Sequence, residues 1–323
     1  MEDKLDVSIV VPAYNEAESL PDLCDWISRV MKTHGFHYEV IIVDDGSSDQ
    51  TWETVITLSQ SNGRIKGLRF NRNYGKSAAL DVGFGSVVGD VVITMDADLQ
   101  DSPEEIPELY KMIREEGYDI VSGWKKKRHD PLGKRIPSKF FNWVTRKISK
   151  IKLHDFNCGL KAYRIDVVKH INVYGEMHRY IPLIAKWNGY KNIGEKVVDH
   201  QARKYGKTKF GMERFMYGFL DLISITFVHR FKKRPMHFFG TLGTLSFIFG
   251  LIFTIKIVWD KIDAIYISKI PVKREITDQP LFFLALVALI IGAQLFLTGF
   301  LAEMITLRDA RKQEYHIADR TGI

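Results

Sequence analysis

Two aspartates separated by one residue follow one of the most strand-like apolar runs of the chain. The run is Val91 to Met95, and the segment after it is Asp96-Ala97-Asp98-Leu99-Gln100. A short β-branched run predicts a buried strand, and open α/β sheets bind their ligands beyond the carboxyl ends of such strands. Carboxylate and amide oxygens at that place suit Mg²⁺ or Mn²⁺ holding a diphosphate. A solvated acidic turn is the alternative interpretation of the same residues.

Polar segments also follow three earlier predicted strands, Val7 to Val11, Val40 to Val43 and Ile65 to Phe70. In chain order these segments are Pro12-Ala13-Tyr14-Asn15-Glu16, Asp44-Asp45-Gly46-Ser47-Ser48-Asp49 and Asn71-Arg72-Asn73-Tyr74-Gly75-Lys76. With the D-x-D segment they predict one nucleotide cleft, in which Asp44 or Asp45 accepts a hydrogen bond from the base and Lys76 lies close by. The sequence contains neither G-x-G-x-x-G after its first strand nor G-x-x-x-x-G-K-[ST], so it supports neither dinucleotide nor P-loop chemistry.

The elements that position these segments alternate between strand and helix over the first two hundred residues. Apolar residues recur at helical spacing over Ala17 to Met31 and over Ala78 to Val87, and Ile120 to Ser122 is a further short strand. This alternation predicts an α/β fold with a mostly parallel sheet and flanking helices.

Two long apolar stretches follow Pro235 in a chain of 323 residues that is 46% hydrophobic. They run from about 236 to 259 and from about 281 to 307, and each is long enough to cross the hydrocarbon layer of a bilayer. We expect two transmembrane helices, with two buried core helices as the alternative. Lys256 and Glu303 lie near the far ends of the stretches, where a charged group can reach the interface or face a partner helix.

Basic residues beside the two stretches predict their orientation. Three precede the first stretch and three follow the second: Lys232, Lys233, Arg234, Arg308, Arg311 and Lys312. The positive-inside rule therefore puts both chain ends in the cytoplasm, although basic residues in the connecting loop weaken the contrast. No signal-peptide pattern precedes the first strand, which fits a cytosolic N-terminal domain in a multi-pass protein of the inner (cytoplasmic) membrane.

Composition limits the classes of partner. A formal net charge of +7 suits an anionic lipid surface and would equally suit nucleic acid, but the sequence has no nucleic-acid motif, so no nucleic-acid partner is expected. Cys24 and Cys158 offer neither a disulfide framework nor a metal-ligand cluster, which indicates a reducing compartment.

These patterns divide the chain into four expected parts. They are a cytosolic α/β domain at 1–210, an interfacial amphipathic helix at 211–234, a two-helix transmembrane domain at 235–310 and a cytoplasmic tail at 311–323. The amphipathic helix is predicted from apolar residues at helical spacing, among them Phe215, Phe219 and Leu222, and a core helix is its alternative.

Three motifs and the helix pair together resemble a known family. Val-Pro-Ala-Tyr-Asn-Glu stands at 11–16, Val-Asp-Asp-Gly-Ser at 43–47 and Asp-Ala-Asp-Leu-Gln at 96–100. In this order the motifs resemble family 2 inverting glycosyltransferases with a GT-A fold, and among them the polyprenyl-phosphate glycosyltransferases, which include dolichyl-phosphate mannose synthases and bactoprenol glucosyltransferases. The resemblance implies a Rossmann-like, mostly parallel sheet, two C-terminal membrane helices and a homo-oligomer.

The resemblance also implies roles for single residues. By this resemblance the nucleotide pocket is lined by Pro12, Tyr14, Glu16, Val43 and Asp45, and Mg²⁺ or Mn²⁺ binds Asp96, Asp98 and Gln100. The same segments add Ala13, Lys76, Asp96, Ala97 and Asp98 to the residues expected at the nucleotide, and Asp44 is a nearby candidate whose role is not separated from that of Asp45. With Asp98, three further residues are expected to be catalytic: Asp155 at the sugar or acceptor, and Arg203 and Lys209 at the donor diphosphate. The alternatives are that Asp155 only stabilises a turn and that Arg203 and Lys209 belong to an ordinary basic loop.

A basic segment matches the part of these enzymes that binds the phosphate of the lipid acceptor. Its matching residues are Lys125, Lys134 and Ser138, with Arg135 as a substitute for Lys134. Lysine at 125 and 134 stands where relatives often have arginine, and it supplies a point charge without a bidentate fork. A solvated basic loop or a headgroup-binding patch is the alternative.

The resemblance predicts an inverting, metal-dependent transfer of a sugar from a nucleotide sugar, with UDP-glucose favoured, to the phosphate of a polyprenyl phosphate. A GDP-mannose-dependent synthase is one alternative. A processive polysaccharide synthase is another, but Gln201-Ala202-Arg203-Lys204-Tyr205 is not a Q-x-x-R-W motif and only two spans are predicted. A catalytically silent protein that binds lipid-linked sugar is the alternative from a different class.

Overall fold

The structure is a computed structural model that describes residues 5–126, 142–201, 204, 221–222, 224–228, 230–231, 234–269 and 275–309. The chain divides into two compact units, Met1–Leu222 and Ile223–Ile323. The expected domain boundary at residue 210 and most of the expected interfacial helix lie outside the described residues, so both stay predictions.

The first unit contains a seven-stranded sheet. Its strands are β1 (Val7–Ala13), β2 (Tyr38–Asp44), β3 (Ile65–Arg69), β4 (Val91–Thr94), β5 (Ile120–Trp124), β6 (Lys161–Arg164) and β7 (Ile193–Val197). They lie in the order β3-β2-β1-β4-β6-β5-β7. The first four are parallel to one another, β6 is antiparallel to β4 and β5, and β7 is parallel to β5. The predicted α/β fold with a mostly parallel sheet is confirmed.

Helices cover both faces of this sheet because its central strands are apolar on both sides. In the first unit they include α1 (Leu20–Thr33), α2 (Thr51–Ser61), α3 (Lys76–Ser86), α4 (Ile106–Arg114), α5 (Ile165–Lys169) and α6 (Ile181–Trp187). Ile9 belongs to a core shared with α1 and α4, and the next residue, Val10, belongs to a core shared with α3 and α6. Alternation along β1 thus builds two apolar layers that fix the strand ends.

Two strands, β6 and β7, were not predicted from the sequence. β6 has four residues and includes Lys161 and Arg164, while Val197 at the end of β7 is exposed. Neither strand therefore presents the β-branched apolar run on which the prediction of the other strands rested.

The second unit contains two long helices, α7 (Pro235–Ile262) and α8 (Pro280–Asp309). Both are long and apolar enough to cross a membrane, and the mean hydropathy of their most apolar 18-residue stretches is 1.9 and 2.5. They run antiparallel, because Gly243 lies against Gly292 while Gly250 lies against Ala285. A Cβ atom on Gly243 would come within 2.7 Å of the Gly292 carbonyl oxygen, so glycine is what permits this approach.

Candidate active site

A cleft of about 360 Å³ lies at the carboxyl ends of the central strands. It is lined by Pro12, Ala13, Tyr14, Glu16, Asp45, Asn73, Gly75, Lys76, Asp96, Ala97, Asp98, Glu176 and His178. Parallel strands end at the same edge of a sheet, and this is why segments from β1, β2 and β4 meet there. Most of the residues expected to bind the nucleotide and metal are brought together by this geometry.

Asp45 fixes one wall of the cleft. Its carboxylate accepts hydrogen bonds from the backbone N–H groups of Tyr74, at 2.7 Å, and Gly75, at 2.9 Å. Burial raises the pKa of Asp45, and these two donors act in the opposite direction. Gly46 follows with φ +67°, and a Cβ there would lie 2.4 Å from the Arg72 backbone, so only glycine lets the two loops meet.

The neighbouring Asp44 has a different environment. Its side chain is fully buried, accepts the Ser47 N–H at 3.0 Å and lies 3.4 Å from the Arg69 guanidinium. Val43 is likewise buried in the core shared with α3. The structure therefore separates the two aspartates, with Asp45 on the cleft wall and Asp44 beneath it.

Asp96 is surrounded by cations. The Lys76 ammonium forms an ion pair with its carboxylate, and Lys125 and Lys161 lie nearby. Burial alone would raise the pKa of Asp96, but these ammonium groups hold it below its usual value. Gly159 lies directly against the same carboxylate, where a Cβ would come within 2.5 Å of Oδ2.

Asp98 lies on a turn that its own carboxylate stabilises. Its Oδ1 accepts the Gln100 N–H at 3.2 Å, and Leu99 between them has φ 61°, a left-handed conformation that is uncommon for leucine. The Gln100 side-chain amide donates to the Gln201 carbonyl at 3.5 Å, and the Gln201 N–H donates to the Gln100 carbonyl at 3.0 Å. The D-x-D turn is thereby tied to the segment beginning at residue 200.

The donor set on this turn fits a hard divalent cation. Mg²⁺ commonly binds through one or two carboxylates and takes its remaining ligands from water and substrate phosphates. Asp96 and Asp98 offer two carboxylates, and among the described residues no group of three or more acidic, histidine or cysteine side chains forms a complete protein site. These carboxylates could therefore hold a metal together with a diphosphate.

Lys125, expected at the acceptor phosphate, forms a buried ion pair in this structure. Its ammonium lies 2.7 Å from Oδ1 of the fully buried Asp101. Burial disfavours the ammonium, but Asp101 outweighs this and raises the pKa of Lys125. The ammonium thus stays charged beside the D-x-D turn.

Asp155, expected at the sugar or acceptor, is buried and does not line the cleft described above. Its Oδ1 accepts the Asn157 N–H at 3.0 Å, which is a turn-stabilising contact. Lys134, Arg135, Ser138, Arg203 and Lys209 lie outside the described residues, so their expected roles stay predictions.

Four cleft residues were missing from the predicted site: Asn73, Gly75, Glu176 and His178. Asn73 and Gly75 lie in a polar segment that the sequence had already singled out. Glu176 and His178 follow α5 rather than a recognisable strand end, so strand-end reasoning had no signal for them.

Comparison with known proteins places the chain among sugar transferases. The dodecaprenyl-phosphate galacturonate synthase of Rhizobium johnstonii is 35% identical over 93% of this chain and 88% of that protein. The undecaprenyl-phosphate 4-deoxy-4-formamido-L-arabinose transferase of Shewanella sediminis is 34% identical over 97% of this chain and 92% of that protein. Both names confirm the resemblance to polyprenyl-phosphate glycosyltransferases.

Solved structures support the fold. The glucosyl-3-phosphoglycerate synthase of Mycobacterium tuberculosis, solved with UDP, superimposes with a TM-score of 0.54 at 18% identity, covering 70% of this chain and 80% of that one. This similarity and the sheet topology confirm the expected GT-A fold class. The sequence profile described as glycosyl transferase family 2 matches residues 8–171. The chain belongs to this family and is a glycosyltransferase.

Proposed function

We propose that this protein transfers a sugar from a nucleotide sugar to the phosphate of a polyprenyl phosphate at a membrane. The observation that carries the proposal is the extent of the similarity to the dodecaprenyl-phosphate galacturonate synthase, which covers 93% of this chain. A match of that length extends beyond the cleft to the apolar helices. Family membership alone would not indicate a lipid acceptor.

A divalent cation is part of the proposal. Asp96 and Asp98 would hold Mg²⁺ or Mn²⁺, with Gln100 as the expected third protein ligand. The bound ion would neutralise negative charge on the departing nucleoside diphosphate. The glucosyl-3-phosphoglycerate synthase has been solved with both Mn²⁺ and UDP, which supports a metal in this fold.

The chain's own residues then position the two substrates. Tyr14, Glu16 and Asp45 line the end of the cleft expected to bind the nucleotide, and Lys76 supplies a cation beside the diphosphate. A lipid phosphate is already ionised near neutral pH, so one of its oxygens can attack the anomeric carbon without a strong protein base. The bond from that carbon to the diphosphate oxygen breaks on the opposite side, and the anomeric configuration inverts.

The acceptor phosphate would meet Lys125 and the expected ligands Lys134, Arg135 and Ser138. Pairing with Asp101 does not exclude this role, because an ammonium carries three N–H donors and one ion pair need not use all of them. Arg203 and Lys209 are proposed to contact the leaving diphosphate, where charge-assisted hydrogen bonds stabilise developing negative charge.

The two apolar helices would cross the inner (cytoplasmic) membrane, leaving both chain ends and the cleft on the cytoplasmic side. A homo-oligomer, also expected, would need surfaces other than the contact between Gly243 and Gly292, because α7 and α8 use that contact within one chain. Apolar side chains elsewhere on α7, such as Leu245 and Ile252, are exposed.

The donor sugar is best settled by experiment. The resemblance to bactoprenol glucosyltransferases favours UDP-glucose, whereas the two relatives are named for galacturonate and 4-deoxy-4-formamido-L-arabinose. We would measure transfer of label from a panel of UDP- and GDP-sugars, including all three sugars, to undecaprenyl phosphate, with EDTA and with Mn²⁺ restored. The proposal expects one preferred donor and a lipid product that disappears with EDTA. Nucleotide binding without lipid product from any donor would contradict it and favour a silent binding protein.

A further inference from the structure

The order of the cleft residues along the sheet edge separates a nucleotide end from a sugar end. Asp45 follows β2, Glu16 follows β1, and Asp96 follows β4, and these strands are neighbours in that order. Glu176 and His178 belong to the segment that follows β6, the next strand in the sheet, and α5. If the base lies near Asp45 and the diphosphate near Asp96, as in the proposed function, the sugar lies toward His178.

His178 is held by the first turn of α3. Its Nδ1 lies 3.0 Å from the Ser77 hydroxyl oxygen, and its backbone N–H donates to the same oxygen at 3.0 Å. Ser77 is fully buried. Two contacts from one residue to one hydroxyl fix both the backbone and the ring of His178.

The hydroxyl also sets the tautomer of the ring. The Ser77 oxygen accepts the His178 backbone N–H, and among the described residues the acceptor within hydrogen-bond distance of its own proton is His178 Nδ1. The Glu176 carboxylate lies farther from this nitrogen, at 3.9 Å. With the hydroxyl as the donor, Nδ1 carries no proton. Burial, reinforced by Lys76, Arg179 and Lys161, lowers the pKa of His178 well below its ordinary value. In this arrangement the ring is neutral and its proton is on Nε2.

We propose that His178 is a sugar-binding residue whose Nε2–H donates a hydrogen bond to an oxygen of the donor sugar, and that Ser77 is the positioning residue that fixes this tautomer. The inference rests on the proposed function for the identity of the donor. A neutral N–H donor suits an uncharged hydroxyl or ring oxygen, whereas Lys76 already provides a cation for the diphosphate.

Two substitutions of His178 form a matched pair. In H178Q the amide nitrogen reaches the position of Nε2 and can still donate, whereas the shorter amide of H178N reaches only the position of Nδ1. We expect H178N to lower kcat/KM for the preferred UDP-sugar about tenfold and H178Q to lower it less than about threefold, as for loss and retention of one hydrogen bond. UDP affinity, measured by calorimetry with Mn²⁺, should stay within about twofold of the unmutated protein in both variants.

Ser77→Ala tests the positioning role by a spectroscopic signature. In the unmutated protein a long-range ¹H–¹⁵N spectrum should show the His178 ring protonated at Nε2, and in S77A a mixture of both tautomers. An Nδ1-protonated ring in the unmutated protein would overturn the inference. So would equal kcat/KM in H178N and the unmutated protein, or an equal loss of UDP and UDP-sugar affinity in H178N.

The inference can fail separately from the proposed function. If the unmutated protein makes no lipid-linked sugar, calorimetry still compares UDP with the UDP-sugar that binds best. A loss of affinity in H178N confined to the UDP-sugar supports the sugar contact even then. A loss shared with UDP would assign His178 to the diphosphate or to the structure of the cleft.

Discussion

The two units of the chain bury their apolar side chains in opposite ways. In the first unit Val10 and Ile41 are 0% and 1% exposed, whereas in the second Leu245 and Leu297 are 61% and 60% exposed. In the most apolar 18-residue stretches of α7 and α8, only 17% and 11% of the residues are buried. Exposed apolar surface of this extent is unfavourable in water, so the second unit has the surface expected of helices in a lipid environment and the first does not.

Glycine shows the same contrast at the level of single contacts. Gly159 in the first unit makes room for the Asp96 carboxylate, and Gly243 in the second makes room for the backbone of Gly292. One glycine serves the chemistry of a cleft and the other the packing of two helices. Substitutions in the first unit should therefore leave the packing of the two helices intact, and substitutions in the second unit should leave the cleft intact.

The largest expected effect comes from removing a carboxylate of the D-x-D turn. Asp98→Asn should lower sugar transfer at least about 100-fold, because metal-assisted stabilisation of the leaving group is lost. Association with membranes should not change, as measured by flotation with liposomes. Asp25→Asn is the control. Asp25 is exposed on α1, and its ion pair among the described residues is with Arg29, one helical turn away. Equal activity in both variants would contradict the assignment.

Gly159→Ala should come next. The new methyl group would fall within 2.5 Å of the Asp96 carboxylate and displace it, so we expect kcat/KM to fall roughly tenfold or more. Gly85→Ala, where a Cβ meets nothing within 4 Å, is the matched control and should keep full activity. A Gly159→Ala enzyme as active as the control would show that Asp96 does not depend on this contact.

A smaller effect is expected in the second unit. Gly243→Ala should destabilise the helix pair by about 1–3 kcal/mol, because the methyl group meets backbone atoms that cannot move aside cheaply. In Gly240→Ala the methyl group meets the flexible end of Met236, so little change is expected. Thermal unfolding in detergent would measure the difference, and UDP affinity should be the same in both variants. A reduced UDP affinity in Gly243→Ala alone would break the predicted independence of the units.

The smallest effect concerns the two cysteines of the first unit. Burial raises the pKa of the Cys24 and Cys158 thiols to about 12, from an ordinary value of 9.0. At pH 8 both thiols therefore stay protonated as well as inaccessible, and iodoacetamide should label neither in the folded protein. Mass spectrometry should find both labelled after unfolding in urea. Labelling of Cys158 before unfolding would mean that the core shared with α1 and α4 opens.

The parts of the site that the sequence predicted share one physical signal. Asp45, Asp96 and Lys76 follow apolar strands, and the parallel sheet brings strand ends together wherever the chain goes in between. The choice between Asp44 and Asp45 could not be made in advance, because it depends on which carboxylate the loop at Tyr74 approaches.

Elements and residues that lack a preceding apolar strand were not predicted, and the reason can be given for each. β6 is short and partly charged, and His178 acquires its position through a contact with Ser77, 101 residues earlier in the chain. No local spacing encodes such a contact. The helix pair was the opposite case, since length and composition alone predicted α7 and α8 closely.

The most direct test of the central claim is a competition between two acceptors for one donor. The purified protein, in lipid nanodiscs with Mn²⁺ and the preferred labelled UDP-sugar, would receive undecaprenyl phosphate and 3-phosphoglycerate together. We predict label in the lipid product and none in the soluble one, because the proposed acceptor is a lipid phosphate at the membrane. Label found only on 3-phosphoglycerate would contradict it.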